Sequence, residues 1–236
     1  IRIYAKLVNG YLKKYDYRAA QNPDVMVVNS KNVAKRCKKF YGRGSQIIYP
    51  PIQSKKLIDL NKNTKKEDFY LIVSRVVGAK GIDMAMKAAI ETGIKLKIVG
   101  ETAGLAWEEK KLKQLKSDNI EFLGRLPDDA LWKIYGKAKG FLALSKDEDF
   151  GMTVVEAQAA GTPVIAYFGG GYKETVVENR TGVFFKDYSV SGLVEAISGF
   201  ENKKFDKKDL QEQAMKFDEK RFVRGIKRSV DQFQWS

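Results

Sequence analysis

The chain has 236 residues, with 43 lysines and arginines, 29 aspartates and glutamates and a formal net charge of +14. It contains no histidine and one cysteine, Cys37, which excludes histidine-based metal sites and Ser–His or Cys–His nucleophile pairs and favours a reducing, cytosolic setting. No apolar run approaches the roughly 20 residues of a membrane helix, and the positive charge favours anionic partners: nucleic acid, a membrane surface or phosphorylated ligands.

The first fifth of the chain predicts an incomplete α/β arrangement. Its pattern indicates a helix over about 2–21, one strand at 25–30, a basic helix over 31–41 and an extended segment at 45–52. One strand cannot form a stable sheet alone. Residues 1–52 are therefore expected to be the C-terminal remnant of a preceding α/β domain, followed by a polar surface segment.

From residue 69 onward, short apolar strands alternate with helices. Strands are predicted at 69–74, 95–100, 120–124, 140–145, 162–166 and 182–185, and helices at 82–92, 107–117, 127–138, 151–161, 171–179 and 189–200. Such alternation predicts an α/β fold with a doubly wound, parallel, six-stranded sheet and helices on both faces. A last helix at 220–233 carries an apolar stripe that needs a surface to cover.

Candidate ligand-binding residues follow two of the predicted strands. In open parallel sheets, ligands bind beyond the carboxyl ends of the strands. Arg75 and Lys80 follow the first strand of the sheet, and "DEDFG" (147–151) follows the fourth. Two cations and a helix that starts at a glycine suit a pyrophosphate. The alternative is that cations near strand ends are common by chance in so basic a chain.

Two acids in the opening of the 151–161 helix admit more than one interpretation. Thr153-Val-Val-Glu156 has the spacing of a capping box, which stabilises a helix by about 1 kcal/mol. Glu148 lies in a run of three acids, which is typical of a solvated loop or a metal site. The residues alone leave a structural and a ligand-binding role open for both.

Several stretches resemble one enzyme family. These are "VNSKNVAKR…YGRGSQIIYPPI", "FYLIVSRVVGAKGID", "LKIVGE", "IEFLGRLPDDAL" and "EDFGMTVVEAQAAGTPVIAYFGGGYKETVVENRTGVFF". They are similar, in order, to the C-terminal part of retaining glycosyltransferases of family 4 (glycosyltransferase group 1), which have the GT-B architecture of two Rossmann-like domains. The resemblance implies three segments: an acceptor-domain remnant (1–52), a nucleotide-sugar-binding domain (53–219) and a C-terminal helix that crosses back to the first domain (220–236).

The resemblance also implies a role for each site residue. Glu148 would lie near the donor sugar, Arg75 and Lys80 would bind the pyrophosphate, and Glu156 would accept hydrogen bonds from the ribose. Leu126 and Asp128 would flank the base. The remaining donor-binding positions are Gly100, Phe150, Gly151, Met152, Thr153 and Gly170. No metal or other cofactor is expected.

The function that follows is transfer of a hexose with retention of configuration, weak or absent in this chain alone. GDP-mannose is the first choice of donor and UDP-glucose the alternative, and the acceptor would be a glycan or lipid-linked saccharide. The expected location is the cytoplasm, at the inner face of the membrane if a peripheral contact forms. A sugar-nucleotide epimerase and, from another class, a basic nucleic-acid-binding module are the competing hypotheses, although no nucleic-acid partner is expected.

Overall fold

The computed structural model describes residues 2–75, 80–101, 115 and 117–232, with side chains from residue 8 onward. The chain forms two compact units, Ile1–Tyr49 and Pro50–Ser236. In the described part of the chain, no helix is long and apolar enough to cross a membrane.

The first unit contains two helices and a short parallel strand pair. Its elements are α1 (Arg2–Ala19), β1 (Val27–Val28), α2 (Lys31–Tyr41) and β2 (Gln46–Ile47). Val27 pairs with Gln46 and Val28 with Ile47. The predicted strand at 25–30 is therefore shorter than expected, and the segment predicted only as extended contains its partner strand.

The second unit is built on a six-stranded parallel sheet, as predicted. Its strands are β3 (Tyr70–Val73), β4 (Leu96–Val99), β5 (Ile120–Gly124), β6 (Gly140–Ala143), β7 (Val164–Tyr167) and β8 (Gly182–Phe185). They lie in the order β5-β4-β3-β6-β7-β8, and every adjacent pair is parallel. This is the Rossmann order, in which the first and fourth strands of the sheet are neighbours at its centre.

Helices cover both faces of this sheet. They are α3 (Ser54–Leu60), α4 (Ile82–Thr92), α5 (Asp128–Lys137), α6 (Met152–Ala159), α7 (Tyr172–Thr175), α8 (Val190–Glu201), α9 (Lys207–Met215) and α10 (Glu219–Asp231). Helices α4 and α8 pack together over one face, and α3, α5, α6 and α9 pack against one another. Because the central strands are buried on both sides, their sequences are continuous apolar runs rather than alternating ones.

Three segments differ from the sequence-based predictions. Helix α3 forms in the predicted surface segment because Leu57 is buried. Helix α7 has four residues rather than the expected nine of 171–179, because the chain turns to an extended conformation at Val176. Helix α9, which Asp206 caps, was not predicted. The predicted helix at 107–117 lies largely outside the described residues.

Candidate functional site

The loops after β3 and β6 leave the centre of the sheet on neighbouring strands. The connection from β3 leads toward β4, and the connection from β6 leads toward β7, on the opposite side. The two loops therefore diverge and leave a crevice beyond the strand ends, the usual ligand site of this topology. Arg75 is exposed just after β3, and residues 145–151 follow β6.

An ion pair joins the two loops. The Lys80 ammonium lies 2.7 Å from a Glu148 carboxylate oxygen, and the two side chains are 27% and 21% exposed. The cation and the acid that were singled out in separate stretches of the sequence therefore meet at the crevice. Because an ammonium has three N–H donors, Lys80 can hold Glu148 and still donate to a second anion.

Gly81 brings the Lys80 turn against the end of β6. It begins α4 in the left-handed region, with φ of 70°. A Cβ at this position would lie 2.8 Å from the Leu144 side chain and 3.2 Å from the Tyr188 hydroxyl. That hydroxyl donates to the Leu144 carbonyl at 2.9 Å. A larger residue than glycine would therefore push Lys80 away from Glu148.

Gly100 brings β4 against the residue that leads into Arg75. Its φ is 138°, and a Cβ there would lie 1.9 Å from the carbonyl oxygen of Ser74. Its amide also donates to the Gly124 carbonyl at 2.8 Å, which joins the ends of β4 and β5. The structure therefore places Gly100 behind the crevice, where it sets the course of the backbone before Arg75.

The glycine-rich turn at 169–171 supports the Glu148 loop. A Cβ at Gly170 would lie 2.3 Å from the Glu148 carbonyl oxygen, and φ there is 51°. The Gly171 amide donates to that same carbonyl at 2.7 Å. Gly170 therefore fixes the course of the backbone at the acid.

Tyr172 is a buried contact of Glu148 that the sequence analysis did not single out. Burial is the main cause that raises the pKa of its hydroxyl, and the nearby charge of Glu148 adds to the rise. The hydroxyl also bonds to the backbone of Ser145. A Cβ on Gly151 would lie only 2.9 Å from the Tyr172 ring. Tyr172 thus positions both the acid and the turn that opens α6.

The start of α6 is open to a ligand. Its first residue follows Gly151, which has φ of 92° and makes no side-chain cap. The first amides of a helix have no intrahelical acceptor, so they and the helix dipole favour an anion. Met152 is 43% exposed and Thr153 is half-buried at this end. The ring of Phe150 is buried edge-on against Phe217, so only its backbone is available to a ligand.

Glu156 does not form the capping box that its spacing allowed. Helix α6 starts at Met152, so Thr153 is inside the helix and Glu156 is beyond its first turn. The carboxylate instead accepts a hydrogen bond from the fully buried Tyr135 at 2.9 Å. Burial raises the pKa of Glu156 from its ordinary value of 4.5 to about 7; the bond from Tyr135 opposes this rise and the charge of Asp128 adds to it.

The pKa of Glu156 predicts a stability change with pH. Between its unfolded value of 4.5 and about 7, the folded protein keeps a proton that the unfolded chain releases, so the free energy of unfolding falls as pH rises. Glu156→Gln should abolish this fall and gain about 1–3 kcal/mol over the wild type above pH 7. Urea unfolding at several pH values measures the difference. Glu195→Gln, on an exposed part of α8, is the control, and parallel pH profiles of the wild type and Glu156→Gln would refute the prediction.

The two predicted base-binding residues lie after β5. Leu126 is half-buried, and Asp128 is exposed as the first residue of α5. Asp128 begins the helix that carries Tyr135, and the Tyr135 hydroxyl donates to Glu156. The turn after β5 therefore lies on the Glu156 side of the crevice. Among the residues that the structure describes, no cluster of acids and cysteine is arranged to hold a metal ion.

The strand order defines a Rossmann-like α/β protein, and its candidate ligand-binding residues follow the carboxyl ends of β3 and β6. The family model for group 1 glycosyl transferases matches residues 54–217. The chain therefore belongs to this family, and the matched region contains every predicted site residue.

Relatives and solved structures agree with this assignment. The chain is 27% identical over 210 residues to an uncharacterized glycosyltransferase of Methanocaldococcus jannaschii, a match that covers 89% of this chain and 58% of the relative. It is 37% identical over 84 residues to a lipopolysaccharide core mannosyltransferase of Rhizobium leguminosarum, covering 36% of this chain and 23% of the relative. The chain thus spans little more than half the length of the first of these relatives.

The fold is shared with a sugar-nucleotide complex. Anabaena HepE, solved with UDP-glucose, superposes with a TM-score of 0.78 at 19% identity, over 94% of this chain and 67% of that one. The structural neighbours are GT-B glycosyltransferases, which confirms the predicted fold class.

Proposed function

We propose that this chain is the donor-binding part of a retaining glycosyltransferase that transfers a hexose from a nucleotide sugar. The observation that carries the proposal is the Lys80–Glu148 pair, which joins the loops after the two central strands, β3 and β6, beside the start of α6. A cation for the diphosphate and an acid for the sugar are therefore adjacent, as the two ends of a nucleotide-sugar linkage require.

The diphosphate would lie between the β3 loop and α6. Lys80 supplies a point charge, and the exposed Arg75 supplies a planar fork. The amides of Met152 and Thr153 at the start of α6 would donate to the phosphate oxygens. These groups stabilise the negative charge that grows on the leaving diphosphate as the sugar departs, which is where fixed donors accelerate a reaction most. In this arrangement the diphosphate needs no metal.

Glu148 would act on the sugar. Departure of the diphosphate leaves positive charge on the anomeric carbon, as in glycoside hydrolysis. A carboxylate held by Lys80 and Tyr172 can accept a hydrogen bond from a hydroxyl of the sugar or stabilise this charge. The acceptor oxygen would attack from the face that the diphosphate leaves, and the departing phosphate oxygen would take the acceptor proton. Configuration is then retained without an enzyme nucleophile.

Glu156 would bind the ribose, with Leu126 and Asp128 beside the base. Tyr135 donates to one Glu156 oxygen, which orients the carboxylate and leaves its other oxygen for the ribose hydroxyls. Because a neutral carboxyl group accepts less well, the pKa near 7 makes donor affinity rise with pH through neutrality.

For the donor, we propose GDP-mannose, with UDP-glucose as the alternative. The mannosyltransferase of Rhizobium, which matches a short stretch at higher identity, supports mannose. The Anabaena protein solved with UDP-glucose supports the alternative. The acceptor would be a glycan or a lipid-linked saccharide, reached at the membrane surface. Since the relatives are longer, transfer by this chain alone is expected to be weak.

Calorimetric titration of the 236-residue chain tests the proposal. GDP-mannose is expected to bind with a dissociation constant below about 1 mM and more tightly than UDP-glucose. The reverse order would replace the donor and keep the proposed class of activity. If neither GDP nor UDP nor their sugars bind near 1 mM, the proposed function is wrong.

A further inference from the structure

A second pocket lies at the other end of the strands, away from the site around Glu148. It has a volume of about 350 Å³, and its wall includes Lys66, Lys139, Lys203, Lys207, Glu201 and Phe205; we call it the lysine cavity. Lys66 precedes β3 and Lys139 immediately precedes β6, so the cavity lies at the amino ends of the strands. Four-residue strands span about 13 Å, which separates the cavity from the site around Glu148.

The lysine cavity carries an excess of positive charge. Lys139 is neutralised by Glu201 at 2.5 Å and by Asp68 at 3.3 Å, and the Tyr70 hydroxyl also donates to Glu201. Among the described residues, the other three ammonium groups contact only neutral oxygens. These are Thr162 Oγ1 for Lys66, Asn179 Oδ1 for Lys203 and the carbonyls of Asn61 and Lys62 for Lys207.

Two of these lysines are held firmly in place. The Lys66 ammonium donates to the buried Thr162 hydroxyl at 2.5 Å. The aliphatic stem of Lys207 packs on Gly161, and a Cβ on that glycine would lie 2.9 Å from the stem. The Lys207 ammonium donates to the Asn61 carbonyl at 2.7 Å. The pKa of Lys66 is lowered from 10.5 to about 7, mainly by burial and to a smaller extent by the charge of Lys207. An anion between the two ammonium groups would oppose both effects and hold Lys66 in its charged form.

The remaining wall of the cavity is apolar. Phe205 stacks on Phe200 with ring centroids 5.2 Å apart, and Pro163 lies on the same wall. A flat apolar surface beside three cations suits a ligand with one anionic end and a less polar body. The volume is at the small end of the range for small-molecule sites.

We propose that the lysine cavity binds a small phosphorylated molecule of about the size of a hexose phosphate, with its phosphate between Lys66 and Lys207. A phosphate matches three cations better than a carboxylate does, because it carries more charge and has three acceptor oxygens. Lys203 would approach from the rim of the cavity. This site does not depend on the proposed donor site at the other edge of the sheet.

Titrating glucose 6-phosphate, inorganic phosphate and glucose into the chain at constant ionic strength tests the proposal, with NMR shifts as the readout. Glucose 6-phosphate is expected to bind with a dissociation constant near or below about 1 mM and to shift Thr162 and Gly161. Glucose alone should not bind. In Lys66→Met/Lys207→Met, which keeps the aliphatic stems, the affinity should fall at least about tenfold.

Lys87→Met, on the exposed side of α4, is the matched control and should bind like the wild type. Lys203→Met, on the cavity rim, keeps the test decisive if the double variant does not fold, and should weaken binding several-fold. Absence of binding near about 1 mM, equal affinity of the cavity variants and the control, or shifts confined to residues around Lys80 would each overturn the proposal. Because these shifts map to residues far from Glu148, the result is independent of whether GDP or UDP binds.

Discussion

Replacing Lys80 by methionine is expected to weaken the binding of a nucleoside diphosphate roughly 10- to 100-fold. A hydrogen bond from a charged group contributes about 1.5–3 kcal/mol, and each 1.4 kcal/mol changes a dissociation constant about tenfold. Lys80 is only 27% exposed and is already aligned by Glu148, so little side-chain freedom is lost when it binds. Calorimetry with GDP and UDP measures the change.

Two further variants sharpen this result. Lys87→Met removes a lysine from the exposed surface of α4, the helix that follows Lys80, and should leave the affinity unchanged. Glu148→Gln should leave the affinity for the free diphosphate nearly unchanged, because the proposed contact of Glu148 is with the sugar. It should remove the additional affinity for the intact nucleotide sugar. An equal loss in Lys80→Met and Lys87→Met would mean that the effect is one of overall charge.

Gly100→Ala is expected to lower the free energy of unfolding by about 3 kcal/mol. Its φ of 138° is strained for a residue with a side chain, and the added Cβ would lie 1.9 Å from the Ser74 carbonyl oxygen. Backbone strain of this kind contributes about 1–3 kcal/mol, and the clash adds to it. For a chain of this size, the melting temperature should fall by roughly 6–12 °C.

Gly199→Ala provides the matched control for this prediction. Gly199 lies in helix α8, and a Cβ there meets nothing within 4 Å. Alanine in a helix interior should stabilise the protein by about 0.5–1 kcal/mol relative to glycine. Gly100→Ala should also weaken diphosphate binding, because the displaced Ser74 leads directly into Arg75. Unchanged stability of Gly100→Ala would contradict the close packing of β4 on the β3 loop.

The strands of the sheet could be predicted because they are buried. A central parallel strand such as β6 must be apolar on both faces, so Phe141 and Leu142 are both buried and the run is recognisable. Helices α3 and α9 were missed because their apolar residues are few. Leu57 and Leu210 are each buried by tertiary contacts that a local pattern does not report.

The residues of the candidate site fall into the same two groups: some are predicted by a local pattern, and others depend on tertiary contacts. Arg75, Lys80 and Glu148 could be predicted because strand ends and a recognisable motif place them at the same edge of the sheet. The roles of Tyr135 and Tyr172 could not, since each depends on the position of a side chain from a different helix or loop. A tyrosine in an apolar helix context needs a partner when it is buried, but the sequence does not say which one.

Gly100 shows a different limit. A glycine after a strand is typical of many turns, and only the 1.9 Å approach to Ser74 shows that no side chain fits there. Glu156 shows a third limit of sequence-based prediction. Thr153 and Glu156 have the spacing of a capping box, but the helix begins at Met152, so Thr153 is not the residue that caps it.

A crystal structure of this chain with GDP bound tests the central claim most directly. The diphosphate should lie within about 3 Å of the Lys80 ammonium and of the amides that open α6, with a ribose hydroxyl on Glu156. A diphosphate bound elsewhere, with α6 uncontacted and the Lys80–Glu148 pair unchanged, would contradict the account.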